Sequence, residues 1–261
     1  MEKNSLIESM KATAIKAGGF IRDEKKKFSY QNVLIKGHND LVSYVDKGAE
    51  QMIVNDLKLI LPEAGFIVEE GTEDHRADFN WIVDPLDGTT NFVHGIPSYA
   101  VSIGLEQHGE IIEGVVYEVN AKECFYASKN KGAFLNDELI KVSERKTLSE
   151  SLIATGFPIN NFSKIDAYWQ VLHYFMQHTH GVRRIGAASV DLCYVACGRM
   201  DAFFEYNLKP WDVAAGALIM KEAGGVVNDF SGKDNWLFGK EMMCSNKEIN
   251  AEFKKVIQTY F

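Results

Sequence analysis

Cysteine is scarce and widely spaced in this chain of 261 residues. The four cysteines, Cys124, Cys193, Cys197 and Cys244, form no CxxC pair, which argues against a zinc knuckle or a redox dithiol. We expect reduced, mostly buried thiols. No proline-rich or Ser/Gly-rich linker and no internal repeat interrupts the chain, which argues against a string of independent modules.

Long apolar runs and excess basic charge are also missing. No apolar run approaches the roughly 20 residues of a membrane helix, and Met1 to Ser5 lacks the character of a signal peptide. We therefore expect a cytoplasmic protein without a membrane partner. With 28 Lys and Arg against 36 Asp and Glu, the formal net charge is −8. Nucleic acid is not an expected partner, because its binding draws on basic surfaces, and cations are more natural ones.

The first half of the sequence predicts helices followed by a mostly antiparallel sheet. Apolar residues at helical spacing predict a helix over residues 5–20 that ends at Gly18-Gly19, and a second helix from Val45 to Leu61. Residues 29–43 predict a hairpin or loop between them. Short β-rich segments fill residues 79–126.

The second half predicts an α/β arrangement. Strand candidates lie near residues 151–155, 202–205 and 225–228, and helix candidates near 163–178, 187–198 and 211–223. We expect two subdomains that share one cleft, an N-terminal α+β subdomain (residues 1–145) and a C-terminal α/β subdomain (residues 146–261).

Two carboxylates three residues apart end an apolar segment. In Trp81-Ile-Val-Asp-Pro-Leu-Asp-Gly-Thr-Thr-Asn-Phe92, the strand delivers Asp84, and Asp87 follows at a glycine turn. Two such charges about 4 Å apart repel by roughly 4 kcal/mol at an effective dielectric near 20, which favours a shared proton or a bound cation. Hard cations such as Mg²⁺ fit these ligands. An ordinary turn is the alternative interpretation.

Further acids stand elsewhere in the sequence. Glu69 and Glu70 follow a short apolar run, and by default they belong to a solvated turn. Asp212 begins a segment that is apolar on nearly every face, so the helix should be buried with its acid at an interior end. An Asp in this position also complements the helix dipole without any metal.

These segments resemble the inositol monophosphatase family of lithium-sensitive, Mg²⁺-dependent phosphatases. The two signature motifs correspond to Asp84–Phe92 and Trp211–Gly216, and the resemblance covers nearly the whole chain. It implies an α/β/α/β/α layered sandwich of the sugar-phosphatase type. Two or three Mg²⁺ ions are implied, with ligands from Glu69, Asp84, the carbonyl of Leu86, Asp87 and Asp212.

The resemblance also implies catalytic roles and substrate contacts. Asp46 and Thr89 would position and deprotonate the attacking water together with Glu69, in a direct in-line displacement without a phosphoenzyme. Substrate contacts would come from Asp87, Gly88, Thr89, Thr90, Ala188 and Glu205. Lys36 would belong to a mobile lid, and a homodimer contact would lie near Arg183-Arg184.

The sequence leaves the substrate open among small phosphorylated polyols and sugars. Myo-inositol monophosphate leads, but Gly156 and Phe157 stand where animal members carry a serine near the substrate. Fructose 1,6-bisphosphate, 3′-phosphoadenosine 5′-phosphate and the 2′-phosphate of NADP remain alternatives. A different class is also open, because some bacterial relatives act as transcription or ribosome-biogenesis factors independently of catalysis.

Overall fold

A computed structural model describes residues 3–28, 33–37 and 40–261. The helices are α1 (Lys3–Lys25), α2 (Tyr44–Ile60), α3 (Thr89–His94), α4 (Ile165–His178), α5 (Ala188–Ala196), α6 (Pro210–Glu222) and α7 (Asn250–Tyr260). The strands are β1 (Val33–Gly37), β2 (Asp40–Ser43), β3 (Gly65–Val68), β4 (Asp74–His75), β5 (Phe79–Asp87), β6 (Ala100–Gln107), β7 (Glu110–Glu118), β8 (Glu123–Ser128), β9 (Ala133–Leu135), β10 (Glu138–Ile140), β11 (Leu152–Thr155), β12 (Gly181–Arg183), β13 (Ala202–Tyr206), β14 (Val226–Asn228) and β15 (Glu241–Ser245).

The strands form two large sheets and a hairpin. The first sheet has the order β10-β9-β8-β7-β6-β5-β3-β4 and the second β12-β11-β13-β15-β14, while β1 pairs with β2. In the first sheet only β3 and β5 are parallel, so the prediction of a mostly antiparallel sheet is confirmed. The second sheet mixes parallel pairs around β11 with antiparallel pairs around β15.

Three apolar clusters hold the elements in five layers. Helices α1 and α2 pack on the outer face of the first sheet, α5 and α6 fill the space between the sheets, and α4 and α7 cover the second sheet. Neighbours in a strand point to opposite faces. Phe203 accordingly joins the middle cluster and Phe204 the outer one. The α/β/α/β/α layering is confirmed.

The helix predicted to end at Gly18-Gly19 continues to Lys25, so that boundary was wrong. A Cβ at Gly18 would lie 2.5 Å from the ring of Tyr117. The glycine is there because α1 passes close to β7, and close packing rather than a helix end accounts for it.

The remaining helix and strand predictions are confirmed within one to three residues, and no helix in the described ranges has the length and apolar character to cross a bilayer. The short helix expected after Gly88 is present as α3, whereas the sequence did not predict α7, β4, β9, β10, β12 or β15. The division into two subdomains near residue 145 stays a prediction, although the two sheets separate between Ile140 and Leu152.

Helix α6 approaches the first sheet through two glycines. Gly104 in β6 and Gly114 in β7 face each other in the register. A Cβ at Gly104 would lie 3.1 Å from the Cβ of Ala214, and one at Gly114 would lie 3.0 Å from the carbonyl oxygen of Ala215. The bare backbone at both positions lets the helix lie close to the sheet, and this brings its N-terminus toward the end of β5.

Candidate active site

A β-bulge turns Asp84 and Asp87 toward the same side of the first sheet. Side chains three positions apart in a regular strand point to opposite faces. Here Asp84 pairs with Ser102 and Asp87 with Ala100, so three steps along β5 match two along β6. The extra residue restores a common direction. The N–H of Leu86 donates to Asp84 Oδ1 at 2.9 Å and fixes the turn.

Gly88 allows the chain to leave this bulge and begin α3. Its φ is +89°, in the left-handed region that favours glycine. A Cβ there would also lie 3.1 Å from the carbonyl oxygen of Ser98. The sharp turn places Thr89 and Thr90 beside the two carboxylates.

Thr89 connects this turn to α2. Its hydroxyl lies 2.9 Å from Asp46 Oδ1 and 3.0 Å from the carbonyl oxygen of Leu86. Asp46 Oδ2 accepts hydrogen bonds from the N–H (2.8 Å) and hydroxyl (2.6 Å) of Ser43, which caps α2. Burial raises the pKa of Asp46 above its usual value despite these hydrogen bonds. The carboxylate of Asp46 is therefore held in place by hydrogen bonds to Ser43 and Thr89.

Asp87 joins the two halves of the molecule. Its Oδ2 accepts hydrogen bonds from the N–H (2.7 Å) and hydroxyl (2.5 Å) of Ser189, in the first turn of α5. Free N–H groups at a helix start suit a carboxylate. Ala188 thereby lies next to the carboxylates of β5.

Asp212 reaches the same place from α6. Its Oδ2 accepts a hydrogen bond of 2.7 Å from the N–H of Lys209, just before the helix. Burial, with the nearby charge of Asp87, raises the pKa of Asp212 to about 7. Asp212 thus caps the start of α6, as expected for an Asp in this position. The cap also places its carboxyl group inside the molecule, at the pocket.

These side chains surround one pocket of about 140 Å³ between the two sheets. Its lining is Glu69, Asp84, Leu86, Asp87, Gly88, Thr89, Thr90, Gly156, Phe157, Ile159, Arg184, Gly186, Ala187, Ala188, Asp191, Glu205, Leu208 and Asp212. Every residue predicted for metal or substrate contact is among them. Asp46 lies behind Thr89, and the side chain of Lys36 lies outside the described part of the chain.

The pocket carries more negative charge than its own residues can neutralise. Burial first, and then the charges of Glu69, Asp87 and Asp212, raise the pKa of Asp84 well above its usual value. Asp84 also hydrogen-bonds Glu69. Burial likewise raises the pKa of Asp87 and Glu205. Such a cluster binds protons or cations.

The donor set fits Mg²⁺. Carboxylates and a backbone carbonyl are hard oxygen ligands, and neither cysteine nor histidine lines the pocket. Within the described ranges, no three His, Cys, Asp or Glu side chains already converge as a finished metal site. The fit to Mg²⁺ rests on the oxygen donors that line this pocket and not on a preformed cluster of ligands.

Sequence reasoning missed two features of the pocket. Asp191 lines it one helical turn after Ala188, and the spacing of three residues was the available signal. Arg184, assigned only to a dimer contact, also lines the pocket, and its guanidinium lies 5.6 Å from the ring centroid of Phe157.

Comparison with known proteins defines the class. Residues 2–260 match the inositol monophosphatase family. An inositol-1-monophosphatase of Rhizobium meliloti is 41% identical over 260 residues, 99% of this chain and 98% of that one. A putative Nus factor SuhB of Neisseria meningitidis is 47% identical over 227 residues, 86% of this chain and 87% of that one.

A crystal structure gives the same result for the fold. The extragenic suppressor protein suhB of Bartonella henselae superposes with a TM-score of 0.93 at 40% identity, covering 98% of this chain and all of that one. The chain belongs to the inositol monophosphatase family. This membership, with the acidic pocket, supports a phosphatase activity.

Proposed function

We propose that this protein is a Mg²⁺-dependent phosphomonoesterase that acts on a small phosphorylated polyol, with myo-inositol 1-phosphate as the leading substrate. The observation that carries the proposal is the meeting of carboxyl groups from β5, α6 and the end of β3 in one pocket. A phosphate ester and these acids repel each other unless cations lie between them.

The residues that would hold Mg²⁺ are those predicted from the sequence, namely Glu69, Asp84, Leu86 through its carbonyl, Asp87 and Asp212. Bound Mg²⁺ would lower the pKa of water and neutralise charge on the phosphoryl group and the departing oxygen. Two or three ions are expected.

The chain's own groups would handle the proton. Water attacks phosphorus opposite the ester oxygen, the P–O bond to the alcohol breaks, and a proton leaves the water. Thr89 is placed to take that proton as its own passes to Asp46, 2.9 Å away. The raised pKa of Asp46 makes it a better acceptor than an exposed aspartate.

Other groups would bind the substrate. The N–H groups of Thr89 and Thr90 lie at the start of α3, where a helix leaves donors free for a phosphoryl group. The N–H of Gly88, also expected at the phosphate, hydrogen-bonds the Asp87 carboxylate. Ala188 through its backbone, together with Asp87 and Glu205, would contact the alcohol. Glu205 lies on β13 and faces the pocket from the second sheet.

The test is phosphate release across a panel of esters with increasing Mg²⁺. We expect release from myo-inositol 1-phosphate that requires Mg²⁺ and stops with EDTA. Asp229→Asn serves as the control, because Asp229 is a buried acid in a turn outside the pocket. Mg²⁺-independent release, or none from any ester, would contradict the proposal.

Lithium gives an independent test of the inositol branch. The family resemblance leads us to expect uncompetitive inhibition by millimolar Li⁺. Initial rates at several substrate concentrations should show kcat and KM falling together. Insensitivity to Li⁺ would favour another sugar or nucleotide phosphatase within the same superfamily.

A second candidate is an accessory role in transcription or ribosome biogenesis. The support is the relative of Neisseria meningitidis that carries the name of a putative Nus factor. Arg183 and Arg184 are exposed and could contact a protein partner. Co-purification of transcription proteins, with full biological activity of an Asp87→Asn variant, would favour this role.

Oligomeric state and location also remain proposals. We expect a cytoplasmic homodimer, with Arg183 and Arg184 near the contact. Light scattering of the purified protein should give about twice the monomer mass of 29.3 kDa.

A further inference from the structure

Asp191 is a buried acid that faces the pocket and has no hydrogen-bond partner in the described part of the chain. It lies on α5 three residues after Ala188, on the same helix face, and both line the pocket. The residue is only 1% exposed, and neither oxygen accepts a hydrogen bond within the described ranges. The N–H of Ile185 stabilises the charge weakly, outside hydrogen-bond geometry.

A buried charge without a partner is costly, and proteins normally pair it. Here the neighbouring charges increase the cost, because Glu205 and Asp87 are also acidic. The positive charge of Arg184 opposes them, but Arg184 is exposed and forms no ion pair with Asp191 among the described contacts. Core packing alone gives no reason for a carboxylate here.

Glu205 on β13 is another acid that lines the pocket near Asp191. A Cβ at Gly156 would lie 2.0 Å from Glu205 Oε2 and 2.2 Å from its Cδ. The missing side chain at Gly156 therefore leaves the space that the Glu205 carboxylate occupies beside the end of β11.

We propose that Asp191 accepts hydrogen bonds from hydroxyl groups of the leaving alcohol and so helps to select neutral polyol phosphates, beside Glu205, whose contact with the alcohol the family resemblance already implies. A carboxyl group keeps at least one accepting oxygen in either protonation state, so a hydroxyl donor would satisfy the unpaired oxygens of Asp191. Hydroxyl groups supply donors without adding charge. A second phosphate at this wall would meet two acids and be disfavoured.

This inference rests on the proposed phosphomonoesterase function and adds a specificity residue to it. A site that hydrogen-bonds a substrate hydroxyl discriminates against an analogue without it, because the buried polar group then stays unpaired. Asp191 touches neither the attacking water nor the phosphoryl group in this proposal. Its effect should therefore depend on the alcohol.

The test compares two esters of the same ring size, myo-inositol 1-phosphate and cyclohexyl phosphate, with Asp191→Asn. For the inositol ester we expect KM to rise and kcat/KM to fall about 10- to 100-fold, the loss typical of a hydrogen bond to a charged group. For the cyclohexyl ester, which has no free hydroxyl, kcat/KM should stay unchanged.

The matched control is Asp201→Asn. Asp201 is equally buried but has its partners in Ser143, Arg145 and the N–H of Leu152, away from the pocket. That variant should lose thermal stability and leave the ratio between the two esters unchanged. Thermal unfolding of both variants separates instability from specificity.

Equal losses of kcat/KM on both esters in Asp191→Asn would overturn the inference and leave a structural role. An unchanged kcat/KM on both esters would overturn it as well.

If the variant does not fold, the wild-type protein provides the test. Fructose 1-phosphate should be hydrolysed with a higher kcat/KM than fructose 1,6-bisphosphate, and the opposite order would overturn the inference. Wild-type protein that releases no phosphate from any ester would refute the proposed function itself.

Discussion

The two walls of the pocket differ in how their carboxylates are held. The phosphate wall consists of the acids expected to bind metal, Asp84, Asp87 and Asp212, and each accepts a hydrogen bond from a backbone N–H. The alcohol wall consists of Asp191 and Glu205, and Asp191 accepts no hydrogen bond from the residues that the structure describes. Backbone-anchored acids keep their positions before any ligand arrives, whereas the unpaired acid gains its hydrogen bonds from a ligand.

This difference separates chemistry from selection. Acids that are already held in place favour cleavage of the P–O bond, which every phosphate ester shares, since pre-organised groups need little rearrangement. An unpaired acceptor favours only those alcohols whose hydroxyl groups donate a hydrogen bond to it. Variants of the phosphate wall should therefore affect all substrates alike, and variants of the alcohol wall should change the ranking of substrates.

The largest effect is expected on the phosphate wall, from Asp84→Asn or Asp212→Asn. Each removes an expected metal ligand, and kcat should fall by about 10³-fold or more on both inositol and cyclohexyl esters. Phosphate release at saturating Mg²⁺ measures it. Unchanged turnover would refute the ligand assignment, and a loss confined to the inositol ester would break the distinction between the walls.

Asp84→Asn should also change the thermal stability of the metal-free protein in a defined direction. The folded state raises the pKa of Asp84, so ionisation of this group near neutral pH opposes folding. Asn removes that charge, and the metal-free variant should unfold at the same temperature as the wild type or higher. Mg²⁺ should stabilise the wild type more than the variant. A clear loss of metal-free stability would mean that Asp84 mainly supports the fold.

A smaller effect, about 100-fold in kcat, is expected for Thr89→Ala, because it breaks the hydroxyl link to Asp46. Thr89→Ser keeps the hydroxyl and should recover most of the activity. Both esters should respond equally. If serine fails to restore turnover, the methyl group rather than the proton path determines the effect.

On the alcohol wall, Gly156→Ala should reduce kcat/KM for the inositol ester by about tenfold, since a new Cβ displaces the Glu205 carboxylate. The cyclohexyl ester should be affected much less. Gly224→Ala is unsuitable as a control because its φ is +90°. Gly19→Ala in α1 is suitable, since the nearest group to its Cβ would be the end of Arg22 at 4.0 Å.

The smallest effect on chemistry should come from Gly114→Ala, away from both walls. The added methyl would contact the backbone of α6 at 3.0 Å, and such overpacking costs about 1–3 kcal/mol. Thermal unfolding should show a loss of several degrees. Substrate ranking should not change. A changed ranking would show that the position of α6 also controls the alcohol wall.

Much of the architecture could be predicted from local patterns. The helix from Tyr44 to Ile60 follows from apolar spacing, with Pro62 just beyond its end. Helix α7 was missed, although Phe253, Val256 and Ile257 have helical spacing and are buried. Strand β12 has only three residues, too few for a period to show.

The site could be predicted in part because its motifs combine distinctive residue types at short spacing. Asp84, Asp87, Thr89 and Asp212 belong to such motifs, and all four line the pocket. Asp191 was not predicted as part of the site, and Gly156 was placed near the substrate only by resemblance. The roles of both residues depend on neighbours in space, since Gly156 leaves room for the carboxylate of Glu205, 49 residues later in the chain.

The sequence by itself determined most of the elements, the acidic motifs and the family, because periodicity and short motifs are properties of neighbouring residues. Only the tertiary structure decided how these parts face one another. The bulge in β5 turns Asp87 to the side of Asp84, the glycines of β6 and β7 admit α6, and Asp191 has no hydrogen-bond partner among the described residues. The physical reason is that packing and desolvation depend on distances between residues that are far apart in the chain.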